Sequence, residues 1–191
     1  MTAGTLVRSA RKSRRLTQAS LGRRARLTQS HLSLIEGDRQ NPSFDAVERA
    51  LRGAGHRLIA VPTLRDDASA VAAEIRDDLA HGRAERALRR FIQLNDNLST
   101  EHGELRFALA ISEPVSTGSK QWDAAIAAVV AHHLDSERLP VPRWAKHPSR
   151  FLKRSWVFGA GPYALAPELD RVPAAFRERR VLIDEDTLRS V

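Results

Sequence analysis

Chemistry in this 191-residue chain has to come from charged and polar side chains other than thiols, because it contains no cysteine. That excludes a disulfide framework, a thiolate metal site and a cysteine nucleophile. His132 and His133 are adjacent, so on a helix they point to different faces and cannot form the H-E-x-x-H pair of a zinc hydrolase. Both read as partly exposed helix-end residues. Asp184, Glu185 and Asp186 bring three carboxylates together, but at what reads as a helix N-terminus, where acids stabilise the helix dipole. No glycine-rich phosphate loop, G-x-S-x-G elbow or supported Ser-Lys dyad is present. The chain is therefore expected not to be an enzyme and to need no metal or cofactor.

Positive charge, by contrast, is concentrated. The net charge is +8, and residues 1–61 hold all of that excess: twelve Lys and Arg, including Arg8, Arg11, Arg15, Arg39 and Arg57, against four acids. Beyond residue 61 the charges balance at nineteen of each sign. A basic footprint confined to one segment fits a domain that neutralises phosphates. No apolar run approaches the roughly 20 residues that span a bilayer, and the N-terminus lacks a signal-peptide core. A cytoplasmic protein without membrane contact is expected.

The elements that must carry these residues are mainly α-helical. From Leu6 to Gly53 the pattern gives four short helices with polar or glycine stops. Leu6, Val7 and Ala10 form the stripe of the first. Thr17 caps the second, Gln18 to Ala25, which should bury Ala19 and Leu21. Thr28 caps the third, Gln29 to Glu36, with Leu32 and Ile35 inward and Gly37 suited to a left-handed ending. Ser43 caps the fourth, where Phe44, Val47 and Leu51 recur at helical spacing.

Within this segment Leu16-Thr17-Gln18 and Ser33-Leu34-Ile35-Glu36-Gly37, followed by Asn41-Pro42-Ser43, resemble the Xre/Cro helix-turn-helix family of phage repressors over about 50 residues. Gly22 stands where that family often has alanine; either small residue should serve. The resemblance implies a DNA-binding domain whose third helix enters the major groove while the second crosses the backbone. Carried over by motif position, Gln29, Ser30, Ser33 and Leu34 face bases, and a glutamine amide at 29 can pair with adenine in bidentate fashion. Gln18, Thr28, His31, Arg39, Gln40 and Asn41, with Arg11 and Arg15 of the first helix region, are the expected phosphate contacts.

After Gly53-Ala54-Gly55, residues 56–61 read as a short strand ended by Pro62. HipB-type antitoxins are similar in following their helix-turn-helix with such a strand. The resemblance implies a homodimer paired through Arg57, Leu58, Ile59 and Val61 on a palindromic operator of double-stranded DNA. Folding of this strand onto its own chain is the alternative.

Residues 62–67 read as a linker, and 68–191 as a separate α-rich domain that binds a partner or ligand. Its helices are expected over Ala68–Ala80, Arg83–Asn95, Leu105–Ile111 and Gln121–Leu134, with a strand near Val181–Ile183. The aromatic residues Trp122, Trp144, Trp156, Phe151, Phe158, Tyr163 and Phe176 all fall here. Basic and aromatic residues interleave in Arg150–Phe158, making Arg150, Phe151, Lys153, Arg154 and Trp156 candidate partner contacts. The organisation resembles bacterial antitoxins that repress their own operon and neutralise a protein toxin. A ligand-responsive transcription factor of the Xre family is the alternative.

Overall fold

The structure, a computed structural model, describes residues 2–159 and 166–189; Tyr163, one of the aromatic residues named above, lies outside them. Helices α1 (Ala3–Ser13), α2 (Gln18–Ala25), α3 (Gln29–Glu36) and α4 (Phe44–Gly53) form an amino-terminal head. Each begins at a residue whose hydroxyl accepts the backbone N–H three positions on: Thr2 from Thr5, Thr17 from Ser20, Thr28 from His31 and Ser43 from Ala46. These bonds satisfy donors that a helix start leaves free. None of the four helices could persist alone at this length. They are stable by burying Val7, Leu21, Leu32, Ile35, Ala50 and Leu51 in one core.

Three local expectations are corrected. Ala19 and Phe44 are exposed, Phe44 by 69%, because Leu21, Gly22 and Ala25 face inward on α2 and Ala46, Val47, Ala50 and Leu51 on α4. The left-handed residue after α3 is Asp38, at φ +52°, while Gly37 stays near the helical region at −94°.

Gly22 carries more than propensity. A Cβ there would sit 2.6 Å from the Leu27 carbonyl oxygen, a backbone atom that cannot rotate away. Helix propensity alone predicts that Gly22→Ala stabilises by about 1 kcal/mol. The overlap predicts the opposite sign, because forced backbone shifts in a packed core cost about 1–3 kcal/mol. Thermal unfolding of the variant should show a lower Tm, and an increase would contradict this packing.

The body comprises α5 (Ala68–Ala80), α6 (Ala84–Thr100), α7 (Gly103–Ile111), α8 (Lys120–Ser136) and α9 (Ala174–Glu178). A parallel pair of strands completes it, β1 (Trp156–Val157) with β2 (Val181–Leu182), in register Trp156 with Val181. α8 is central: of residues 123–134 all but His132 are buried, as its apolar residues on every side require. Phe91, Trp122, Trp156 and Phe158 form an aromatic group over α6 and α8, with centroids 4.4–6.3 Å apart. Asp184 caps the 3-10 helix Glu185–Leu188 and, with Asp186, pairs with Arg171. That acidic run is thus engaged structurally. Residues 62–67 are pinned rather than free, with Thr63 Oγ1 donating to Glu101 at 2.8 Å and Asn97 Nδ2 to the Asp66 carbonyl at 3.0 Å.

His133 is buried, contrary to the expected partly exposed position. Its Nε2 lies 2.8 Å from Asn95 Oδ1, while Asn95 Nδ2 donates to the Leu188 carbonyl at 2.8 Å. A carbonyl only accepts, so the amide orientation is set and His133 Nε2 is the donor of a neutral ring. Burial, aided by nearby His132 and Arg106, pushes its pKa down from 6.5 to about 3. Between those values the unfolded chain binds a proton that the folded chain refuses, so stability falls as pH drops from 6.5 towards 3. Urea unfolding followed by tryptophan emission should show this fall, with a shallower slope for His133→Gln. An unchanged slope would assign the acid sensitivity elsewhere.

Candidate nucleic-acid interface

Leu32 and Ile35 turn one side of α3 into the head core, which leaves residues 29, 30, 33 and 34 on the opposite side as two i, i+4 pairs. Gln29 and Ser30 are exposed at its N-terminal end, and Ser33 and Leu34 are half-buried behind them. The four expected base readers therefore share one outward stripe. Thr28 is exposed beside them, its oxygen accepting from His31 N at 3.1 Å and its O–H free to donate. Arg39, Gln40 and Asn41 are exposed after the helix, His31 and Gln18 are half-buried, and Arg15 is exposed between α1 and α2.

Arg11 is not a free cation, which corrects its expected role at phosphate. Its Nε and Nη2 grip the two oxygens of Glu36 at 2.6 and 2.7 Å, and Nη1 donates to the Leu16 carbonyl at 2.8 Å. The carboxylate holds this guanidinium above its ordinary pKa. Glu36 also accepts from Gln18 Nε2 at 3.0 Å, and Gln29 Nε2 donates to Gln18 Oε1 at 3.4 Å. A relay thus runs from a buried ion pair out to the tip of α3. It fixes which end of the Gln18 amide faces Gln29, leaving Gln29 Oε1 and one N–H of its amide for a ligand.

Sequence reasoning missed Glu36 as the centre of this relay. A signal was present: an acid at the C-terminal end of α3 opposes the helix dipole, so a glutamate next to inward-facing Ile35 calls for a cationic partner. Elsewhere in the head Arg8, Arg14, Arg15, Arg23, Arg24, Arg26 and Arg39 have no carboxylate partner among the described residues, whereas Arg49 and Arg52 pair with Asp45 and Glu48. Most of the head's positive charge is therefore uncompensated and directed at solvent.

Residues 3–56 match the family described as "Helix-turn-helix domain". The amino-terminal head is a helix-turn-helix domain. This domain is also similar to the immunity repressor protein of Bacillus phage phi105, with 39% identity over 61 residues, 32% of this chain and 42% of the phage protein. The chain thus spans under half the length of that curated relative. No solved structure matches it significantly. The likeness stops with the helix-turn-helix domain and leaves the body to be read from its own residues.

In the body, no group of three or more His, Asp or Glu suited to a metal occurs among the described residues. No described helix is long and apolar enough to cross a membrane. Of the basic-aromatic segment, Lys153 and Arg154 are exposed and Phe151 is 38% exposed. Arg150 departs from its expected outward position: it is buried, donates to the Pro114 carbonyl at 3.2 Å and lies 3.6 Å from Asp123. Trp156 is half-buried in the aromatic group. The expected strand at 56–61 joins no sheet among the described residues; the segment is irregular and, from Arg57 on, exposed.

Proposed function

We propose that the chain is a sequence-specific DNA-binding transcriptional repressor that acts as a homodimer on a palindromic operator. The observation that carries this reading is the outward stripe of Gln29, Ser30, Ser33 and Leu34, held at the end of a hydrogen-bond relay on a head most of whose arginines lack a carboxylate partner among the described residues. Such a stripe reads base edges while the arginines neutralise phosphates. The printed name of the phage relative, an immunity repressor, points the same way. Dimerisation is supported by Leu58, Ile59, Val61 and Leu64, which expose 44%, 78%, 39% and 106% of their surface on a segment that joins no sheet among the described residues. Strand addition from a second copy would satisfy both the backbone and the apolar side chains. Two heads would then read half-sites about 34 Å apart.

Selection from randomised duplexes should recover a two-fold symmetric site bound by two chains. Ile59→Glu should leave the head folded, yield a monomer in sedimentation and retain binding to a single half-site. Recovery of no preferred sequence would overturn the reading.

A second reading, neutralisation of a protein toxin by the body, is favoured by one observation. Phe151, Lys153 and Arg154 form an outward turn suited to a protein partner. Stable co-purification with the product of the adjacent gene, lost on Phe151→Glu, would support it. A lone gene without a toxic neighbour would remove it.

A further inference from the structure

A cavity of about 1110 Å³ is a cleft with one wall from the helix-turn-helix domain and one from the body. The head contributes Leu6, Ala10 and Leu51. The facing wall contains Phe107, Ile111, Val141 and Trp144. Around these apolar surfaces stand the cations Arg15, Arg57, Arg143 and Lys146, all exposed and without a carboxylate partner among the described residues. Glu113 is the one acid of the lining, and Lys12 neutralises it at 2.8 Å.

The body wall is preformed. Trp144 Nε1 donates to the Ala110 carbonyl at 3.1 Å, and Arg150 lies 5.4 Å from its ring. Asp123 accepts from Ser116 and from both Thr117 donors at 2.7–2.8 Å, which ties the loop after α7 to α8. Against this fixed wall the head is attached lightly, through Lys12 and through the Glu113 N–H, which donates to Ser9 Oγ at 2.7 Å. Small interdomain contacts of this kind permit relative motion.

We propose that the cleft is a regulatory site for a small organic anion with an apolar or aromatic body. The apolar walls take the body of the ligand, and the unpaired cations take its charge. Ligand sites have this composition: mostly apolar, largely preformed, with a few placed polar groups. Because the two walls belong to different units, an occupant fixes how the head sits on the body, and it draws Arg15 away from DNA phosphate. Binding therefore lowers DNA affinity, and by linkage DNA lowers ligand affinity by the same factor. Occupancy of the cleft stands independently of the proposed function, whereas the coupling rests on it.

The test uses the full-length chain and the fluorescent probe 8-anilinonaphthalene-1-sulfonate, with N-phenyl-1-naphthylamine as its uncharged counterpart. The sulfonate should saturate at one per chain and bind at least about tenfold more tightly than the neutral amine, roughly one well-placed charge contact. The double variant Arg143→Glu/Lys146→Glu should lose that tenfold for the sulfonate and leave the amine unaffected. Ile111→Glu, on the apolar wall, should weaken both probes. Equal sulfonate binding by wild type and double variant, at equal urea midpoints, would overturn the site. Saturating sulfonate should also weaken binding to a random 24-base-pair duplex, read by anisotropy. An unchanged duplex affinity would overturn the coupling, while a chain that binds no duplex at all would refute the proposed function and leave the probe titration to decide the cleft.

Discussion

Glu36→Leu should unfold the head at markedly lower urea while the body transition stays in place. The carboxylate is 4% exposed, and the Arg11 guanidinium that it binds is 16% exposed. Removing one partner of such a pair strands the other charge in a poorly solvated site, which costs about 3–5 kcal/mol. The partial exposure of Arg11 places the expected loss near the lower bound, about 3 kcal/mol, against a typical domain stability of about 5–15 kcal/mol. Gln18 also loses its acceptor. The double variant Arg11→Met/Glu36→Leu, which removes the stranded charge, should recover most of the loss. The two units can be followed separately, because Trp122, Trp144 and Trp156 all lie in the body and the head contains none. Far-UV circular dichroism should therefore show an early transition that tryptophan emission does not. Superimposable unfolding curves for Glu36→Leu and wild type would show that the pair does not hold the head together.

The ease with which this head could be read from its residues, and the difficulty of reading its ion pair, have one physical origin. Caps are local: Thr17, Thr28 and Ser43 announce helix starts because a hydroxyl reaches only the next three residues. The same holds for inward faces set by clear spacing, such as Leu32 with Ile35. Arg11 and Glu36 lie 25 positions apart, and nothing local separates a phosphate-binding arginine from one committed to a carboxylate. Gly22 was legible as a small residue but not as an obligatory glycine, since the constraint comes from the Leu27 carbonyl after the next turn. In the body, Ala68–Ala80 is plain from its alanines and the stripe of Val71, Ile75 and Leu79, while β1 is hidden. Trp156 and Val157 become a strand only because Val181 and Leu182 come alongside. The burial of Arg150 and His133 is hidden for the same reason: their partners Asp123 and Asn95 are distant in sequence.

Gln29→Ala and Arg39→Ala should separate reading from gripping. The Gln18–Gln29 contact leaves the Gln29 amide one donor and one acceptor, which matches the N7 and N6 pattern of adenine in the major groove. Loss of that pairing should cost about 1–3 kcal/mol of discrimination at one base pair of each half-site, and a two-fold operator doubles it. Binding to random duplex should barely change. Gln18→Ala should give a smaller loss of discrimination at the same base pair, since it removes the support for Gln29 rather than the reader. Arg39, exposed and without a carboxylate partner after α3, should behave in the opposite way. Its alanine variant should weaken specific and random duplexes alike and reduce the slope of log K against log salt by about 1. Anisotropy titrations over a range of salt, on the selected operator and on single-base variants, resolve the two behaviours. If both variants lost affinity equally on every sequence, α3 would be gripping the backbone, and the relay from Glu36 would serve stability alone.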